Sequence, residues 1–249
     1  MTGNDDPVAT AQQSLTSVGA FVMPAADLAR CIGADDDSWR EFASHWEDLA
    51  PDSYAAELGT QRLRRYGHFA FTPSDGAATL MPHTEFVQPE NSNPLYVGRD
   101  RQFEPLTDSF ARDRLLHNVL TLLGRVATAL DEFSEWSAKV TPFRVVASAD
   151  GQGEPTPEGL HRDGVILVSS LLIGRRNAVG GTSTVHDLDG HQLLTTTLCE
   201  RGSLLLGDDR RTLHGVSAIR PANPDAPAQR DVLVITFAPS TPPGRPPPP

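Results

Sequence analysis

The stretch EGLHRDGVILVSSLLIG (158–174) decides the fold, because a pair of metal-ligand side chains stands directly ahead of a continuous apolar run. VILVSSLLIG is short and rich in aliphatic and β-branched residues, the signature of a buried strand. If 160–168 is extended, side chains alternate with period two. His161 and Asp163 then share one face and can point inward, while Arg162 points out.

Working outward, the second half of the chain repeats this texture. PFRVVASA, TSTVHDL, HQLLTTTL, GSLLLG and DVLVITFA are further short strand-like runs, with hairpin signals at NAVGG and DLDG. Six or more strands without intervening helices predict a mainly β domain, either an antiparallel barrel or a double-sheet jelly roll. The first half is helical. PAADLARCIG and DDDSWREFASHWEDL carry helical spacing, and residues 108–136 read as one long amphipathic helix whose apolar stripe runs from Phe110 to Phe133. These helices are expected to cover one outer face. The strand RLRRYGHFAF (62–71) and a turn-rich polar segment, 83–106, lie between them; such a segment is often a binding loop. The expected organisation is a disordered N-terminus (1–15), a single domain (16–239) and an extended proline-rich tail (240–249).

Composition narrows the partners. A net charge of −11 over 249 residues argues against nucleic acid and anionic membrane surfaces. Lys139 is the only lysine, so electropositive pockets are expected to be built from arginine. Two cysteines, Cys31 and Cys199, are too few for a disulfide framework and read as buried free thiols. With no membrane span or signal peptide visible, the expectation is a cytoplasmic protein.

A His-x-acid pair is weak evidence alone. Composition predicts about one by chance, and the chain has three, at 45–47, 83–85 and 161–163. His45 and Glu47 lie on an apparent helix, where residues two apart diverge, and read as solvated surface. His83 and Glu85 have no arginine-bearing strand at a useful distance, and the next histidine, His117, falls inside the long helix. His161 and Asp163 have a third ligand in reach, His214, where a turn leads into another strand. Two imidazoles and one carboxylate on one side of an ion suit non-haem Fe(II) and leave its opposite face open. Arg230, ahead of DVLVITFA, is costly at a buried strand unless an anion meets it. A salt bridge to Asp208, Asp209 or Asp231 and capture of a ligand carboxylate are both open.

EGLHRDG, LLIGRRNAVGGTSTVHD, LLLGDDRRTLHGVSAI and QRDVLVITF together, with weaker matches in RLRRYGHF and RQFEPL, resemble the iron(II)/2-oxoglutarate dioxygenases. More narrowly, they are similar to the bacterial group typified by L-isoleucine 4-hydroxylase, and the resemblance implies a double-stranded β-helix, the cupin-like jelly roll. The resemblance spans roughly residues 60–238. It implies that His161, Asp163 and His214 hold Fe(II) and that Arg230 binds the distal carboxylate of the cosubstrate 2-oxoglutarate, with O2 as oxidant. Many relatives carry a serine or threonine two positions after that arginine; here the residue is Val232.

The implied activity is hydroxylation of an unactivated C–H bond in a small molecule, a free L-amino acid in the first instance. Desaturation, cyclisation and action on a peptide-borne residue compete on the same iron. A non-catalytic cupin-like binding module is the competitor from another class. For an amino acid, Arg101 is the candidate for the carboxylate, and Glu85, Gln88 or Asn93 for the ammonium. Arg65 and Tyr66 are candidate wall residues. Asp208 and Asp209 are candidates to orient His214 from behind or to brace its turn. His186 and His191 flank the DLDG turn and are expected in solvent.

Overall fold

A computed structural model of the chain describes residues 6–57, 59–86 and 101–240. Its helices are α1 (Pro7–Ser17), α2 (Ala25–Ile32), α3 (Asp36–Ser44), α4 (Ser53–Glu57), α5 (Asp108–Ala111) and α6 (Arg114–Leu130). The early strands are β1 (Ala20–Met23), β2 (Ala50–Pro51), β3 (Gln61–Arg64), β4 (Gly67–Thr72), β5 (Ala77–Leu80) and β6 (Trp136–Ala147). The later ones are β7 (Leu167–Arg176), β8 (Ala178–Gly180), β9 (Ser183–Asp187), β10 (Gln192–Thr196), β11 (Leu204–Asp208), β12 (Thr212–Val216), β13 (Ile219–Pro221) and β14 (Ala228–Pro239).

The main sheet runs β1-β11-β7-β14-β6-β3-β2, with β4 continuing alongside β6 and β5 at its edge. A smaller sheet, β10-β9-β12, faces it. The central strands β11, β7 and β14 are buried on both faces, and the period-two alternation sorts their side chains between two interiors. On β14, Leu233, Ile235 and Phe237 join the core under the helices, while Arg230, Val232, Val234 and Thr236 face the space between the sheets. β6 divides likewise: Ala138 and Val140 point to the helices, Lys139, Thr141, Phe143 and Val145 to the cavity. This is the expected jelly roll with helices on one outer face. Among the described residues no helix is long and apolar enough to cross a membrane.

Four expectations need correction. Residues 7–15 are not disordered: Asp6 caps α1, and Val8, Ala11 and Leu15 are buried on one helical face, a spacing of three and four hidden among polar neighbours. The long helix is two, because the Asp113 side chain accepts the N–H groups of Leu115 and Leu116 and restarts the chain as α6. That helix ends at Leu130, so Phe133 packs on the core from the connection to β6. Both cysteines are exposed, Cys31 on the side of α2 opposite its buried Ala25, Leu28 and Ile32.

His45 is the fourth. It sits in a 3-10 turn, His45–Asp48, stacked on Phe110 with ring centroids 4.5 Å apart, and its Nε2 is 2.9 Å from Asp113 Oδ2. Glu47 pairs separately with Arg144, so these two side chains do serve different partners. His191 is exposed as expected, whereas His186 is half-buried. The proline-rich tail beyond Ser240, with Gln88 and Asn93, lies outside the described residues.

Candidate metal centre and its cavity

His161 and His214 are joined through the backbone. Each N–H donates to the other's carbonyl, at 3.0 and 2.9 Å, an isolated antiparallel bridge that brings the two rings to 4.4 Å between centroids. The segment 160–168 is nevertheless not a strand. After the bridge at His161 the chain turns through Gly164, whose φ of +74° is a left-handed conformation that favours glycine, and β7 starts only at Leu167. Asp163 reaches the histidines through that turn, not through strand alternation.

Asp209 supports the turn from beneath. Its carboxylate accepts the N–H groups of Asp163, Gly164 and Val165 at 3.1, 2.8 and 3.0 Å. Burial and the Asp163 charge push its carboxyl up to about 6, against the lowering effect of those three donors. Asp209 Oδ1 is also 3.7 Å from His214 Nδ1, beyond hydrogen-bond reach, so bracing the turn is its visible role. Asp208 is taken by Arg210 Nε at 2.9 Å and does not touch His214.

One nitrogen or oxygen from each of His161, Asp163 and His214 lies within 4.8 Å of the others. An ion at ligand distances of roughly 2.0–2.2 Å spaces adjacent ligand atoms about 3 Å apart, so the set fits with small side-chain adjustments. His214 Nε2 is 3.6 Å from Asp163 Oδ2. The His161 Nδ1–H donates to the Gly159 carbonyl at 3.0 Å, which leaves the Nε2 lone pair for a metal. Burial lowers His214 to about 4, partly opposed by Asp163 and helped by His161, so its imidazole is neutral, the state a ligand needs.

Arg230 lies in the same cavity and is 1% exposed. None of the three carboxylates considered from sequence meets it: Asp231 binds Arg144, Asp208 binds Arg210 and Asp209 binds the metal turn. Among the described residues, its Nε and Nη2 have no hydrogen-bond partner. Burial, with Arg175 beside it, lowers its pKa to about 10. A guanidinium so placed lacks the anion it requires, and its fork of donors fits bidentate capture of a carboxylate. Val232 lines the cavity beside it without a hydroxyl to offer.

The cavity, of about 150 Å³, has apolar walls from Val165, Val168, Val216, Val232 and Val234. It also holds Arg62, Arg64, Arg101, Lys139 and Glu158. Arg101 thus lines the metal cavity. Glu85 does not: it is exposed, binds Gln102 Nε2 at 3.0 Å, and borders a second, outer cavity that Arg64 also lines. Arg65 turns away to the carbonyls of Asp48 and Pro105, and Tyr66 packs behind Phe86. Arg64 was missed although alternation from Arg62 on β3 would have found it. The only lysine, Lys139, also faces the cavity, so the pocket is not built from arginine alone.

The fold and site together define a jelly-roll oxygenase with a two-histidine, one-carboxylate metal centre. Residues 43–236 match the family described as 2OG-Fe dioxygenase, and the chain belongs to it. Members use Fe(II), 2-oxoglutarate and O2. A solved bsmA homologue from Methylobium petroleophilum PM1 is 35% identical, with a TM-score of 0.86 and 93% of each chain covered. IDO from Bacillus thuringiensis, 17% identical over 94% of this chain and 100% of its own, shares the fold at a TM-score of 0.78. The Fe(II)/(alpha)ketoglutarate-dependent dioxygenase TqaL, 17% identical over 98% and 93%, shares it at 0.75. No curated protein sequence matches.

Proposed function

We propose that this dioxygenase hydroxylates an unactivated C–H bond of a free L-amino acid, as the resemblance to the L-isoleucine 4-hydroxylase group suggests. One observation carries the substrate class. The cavity that contains the metal ligands also holds buried cations besides Arg230, together with a carboxylate, Glu158, whose Oε1 is 3.5 Å from His161 Nε2. A zwitterion needs both charges. With Glu85 outside this cavity, Glu158 joins Gln88 and Asn93 as a candidate for the ammonium role.

Fe(II) with 2-oxoglutarate supplies the oxidising chemistry: R–H, O2 and 2-oxoglutarate become R–OH, succinate and CO2. The chain's residues do the rest. His161, Asp163 and His214 grip the ion from one side and leave the other open. Arg230 orients 2-oxoglutarate through its distal carboxylate. The valine walls keep bulk water from the oxidant.

The test is anaerobic loading with Fe(II) and 2-oxoglutarate, admission of air with a panel of L-amino acids, and measurement of succinate and product mass. A product heavier by one oxygen atom, matched to succinate, is expected. Succinate with a lighter product points to desaturation or ring closure. A panel that never stimulates succinate sinks the amino-acid reading, and peptides are then the next substrates. Unchanged behaviour of Arg230→Ala would identify a binding module.

A further inference from the structure

We propose that Arg64 is the residue that captures the substrate's carboxylate, and hence that the enzyme selects organic acids. This deepens the amino-acid reading and rests on it only for the rest of the substrate.

Arg64 closes β3, where alternation with Leu63 sends its side chain inward to the metal cavity. It is 3% exposed, and among the described residues its Nε and Nη2 have no hydrogen-bond partner. Three aromatic rings enclose the guanidinium, with the carbon at its centre 3.6 Å from the Phe103 centroid, 4.7 Å from Phe143 and 4.8 Å from Phe86. Ring faces stabilise a cation and fix its plane, but they accept no N–H in that plane. The fork is thus immobilised with its donors unspent, the arrangement that bidentate binding of a carboxylate completes.

The neighbours make the need for an anion greater. Arg62, two residues earlier on the same face, is committed to Asp52 at 2.9 Å. Arg101 and Lys139 also contact the Phe86 ring, at 5.1 and 5.2 Å. Burial and the Arg62 charge hold Arg64 well below the ordinary guanidinium range, with Asp52 opposing them. Lys139 is lowered by burial as well, and the carboxylate that supports it is the metal ligand Asp163, so this cationic wall is within electrostatic reach of the iron site. Arg230, in the same cavity, has the cosubstrate as its anion; Arg64 requires another.

Calorimetry on the anaerobic Fe(II)–2-oxoglutarate enzyme provides the test, with short aliphatic carboxylates, L-amino acids and the primary amides of both as probes. The wild type should bind acids and discriminate against their amides about 10- to 100-fold, the range of one lost charge-assisted pair. Arg64→Gln should erase that discrimination while leaving the KM for 2-oxoglutarate in uncoupled turnover unchanged, and Arg64→Lys should restore part of it. Equal binding of acids and amides by the wild type, discrimination that survives in Arg64→Gln, a raised KM for 2-oxoglutarate in that variant, or no carboxylate that binds at all would each overturn the assignment. Binding and turnover of an acid without an amino group, dependent on Arg64, would uphold it while removing the amino-acid reading.

Discussion

Asp209 and Asp163 meet through the backbone, not through their carboxyl groups: the Asp163 N–H donates to Asp209 Oδ1 at 3.1 Å. The next two N–H groups go to Oδ2 of the same carboxylate. One buried side chain thus shapes the turn that presents a metal ligand, and it stands at the end of β11, ahead of the strand that carries His214.

Removing that support should loosen the ion without touching a ligand. Asp209→Ala strands three N–H groups, each worth roughly 1 kcal/mol, so stability should fall by about 3 kcal/mol. Loss of a side chain that orients a ligand should also weaken Fe(II) binding about 10- to 100-fold. Urea denaturation and iron titration measure the two effects. Unchanged iron affinity would show that the turn holds its shape unaided.

Arg230 sets stability against function. The metal-free protein buries a cation with no anion beside it, so Arg230→Met should make that form more stable by about 1–2 kcal/mol. On the proposed role of Arg230, the same change would remove two charge-assisted hydrogen bonds to 2-oxoglutarate, about 3 kcal/mol in all, and should raise its KM about 100-fold. Thermal melts check both parts. The variant should melt higher than wild type without 2-oxoglutarate, and addition of 2-oxoglutarate should raise Tm only in the wild type. A lower Tm for the metal-free variant would mean that Arg230 is a structural cation.

Asp113 should govern stability in acid. Its burial raises the carboxyl pKa, but the His45 ring and the N–H groups of Leu115 and Leu116 outweigh that and leave it below the ordinary value. The unfolded chain therefore binds this proton more readily than the fold does. The contribution is complete above the unfolded value, about 4, and is lost as the pH drops through the lower folded value. Asp113→Asn should flatten the dependence of Tm on pH between about 2.5 and 5, with a smaller deficit from the weakened cap at neutral pH. Parallel slopes for the two proteins would place the acid sensitivity elsewhere.

The elements legible in the sequence were those whose chemistry and periodicity agree. Ahead of the apolar run of β14, the burial cost of Arg230 marks a residue that needs an anion, and the structure puts it in the cavity. The metal ligands were legible for a partly mistaken reason. Their residue types were diagnostic, yet the turn at Gly164 depends on Asp209, 45 positions from the glycine it holds, and local pattern cannot show that partner. Arg64 and Arg65 show the limit of a reading that ignores direction: Arg64 ends β3 facing the cavity, while the adjacent Arg65 turns to the carbonyls of Asp48 and Pro105. α1 was hidden because Val8, Ala11 and Leu15 form a stripe only on a surface that α6 and β1 complete.

The packing of Phe71 against Gly124 makes the last prediction, at the junction of α6 and the main sheet. Alanine is the better helix former by up to about 1 kcal/mol, so propensity alone favours Gly124→Ala. A Cβ on Gly124, however, would collide with three atoms of the Phe71 ring. Phe71 is 1% exposed and its ring packs against Phe237 at 5.8 Å between centroids, which blocks an easy retreat. Overpacking of this kind costs about 1–3 kcal/mol and should exceed the helical gain. Gly124→Ala should therefore lower Tm, and pairing it with Phe71→Leu should recover part of the loss relative to Phe71→Leu alone. A Tm that rises in the single variant would show that α6 can shift off the sheet at little cost.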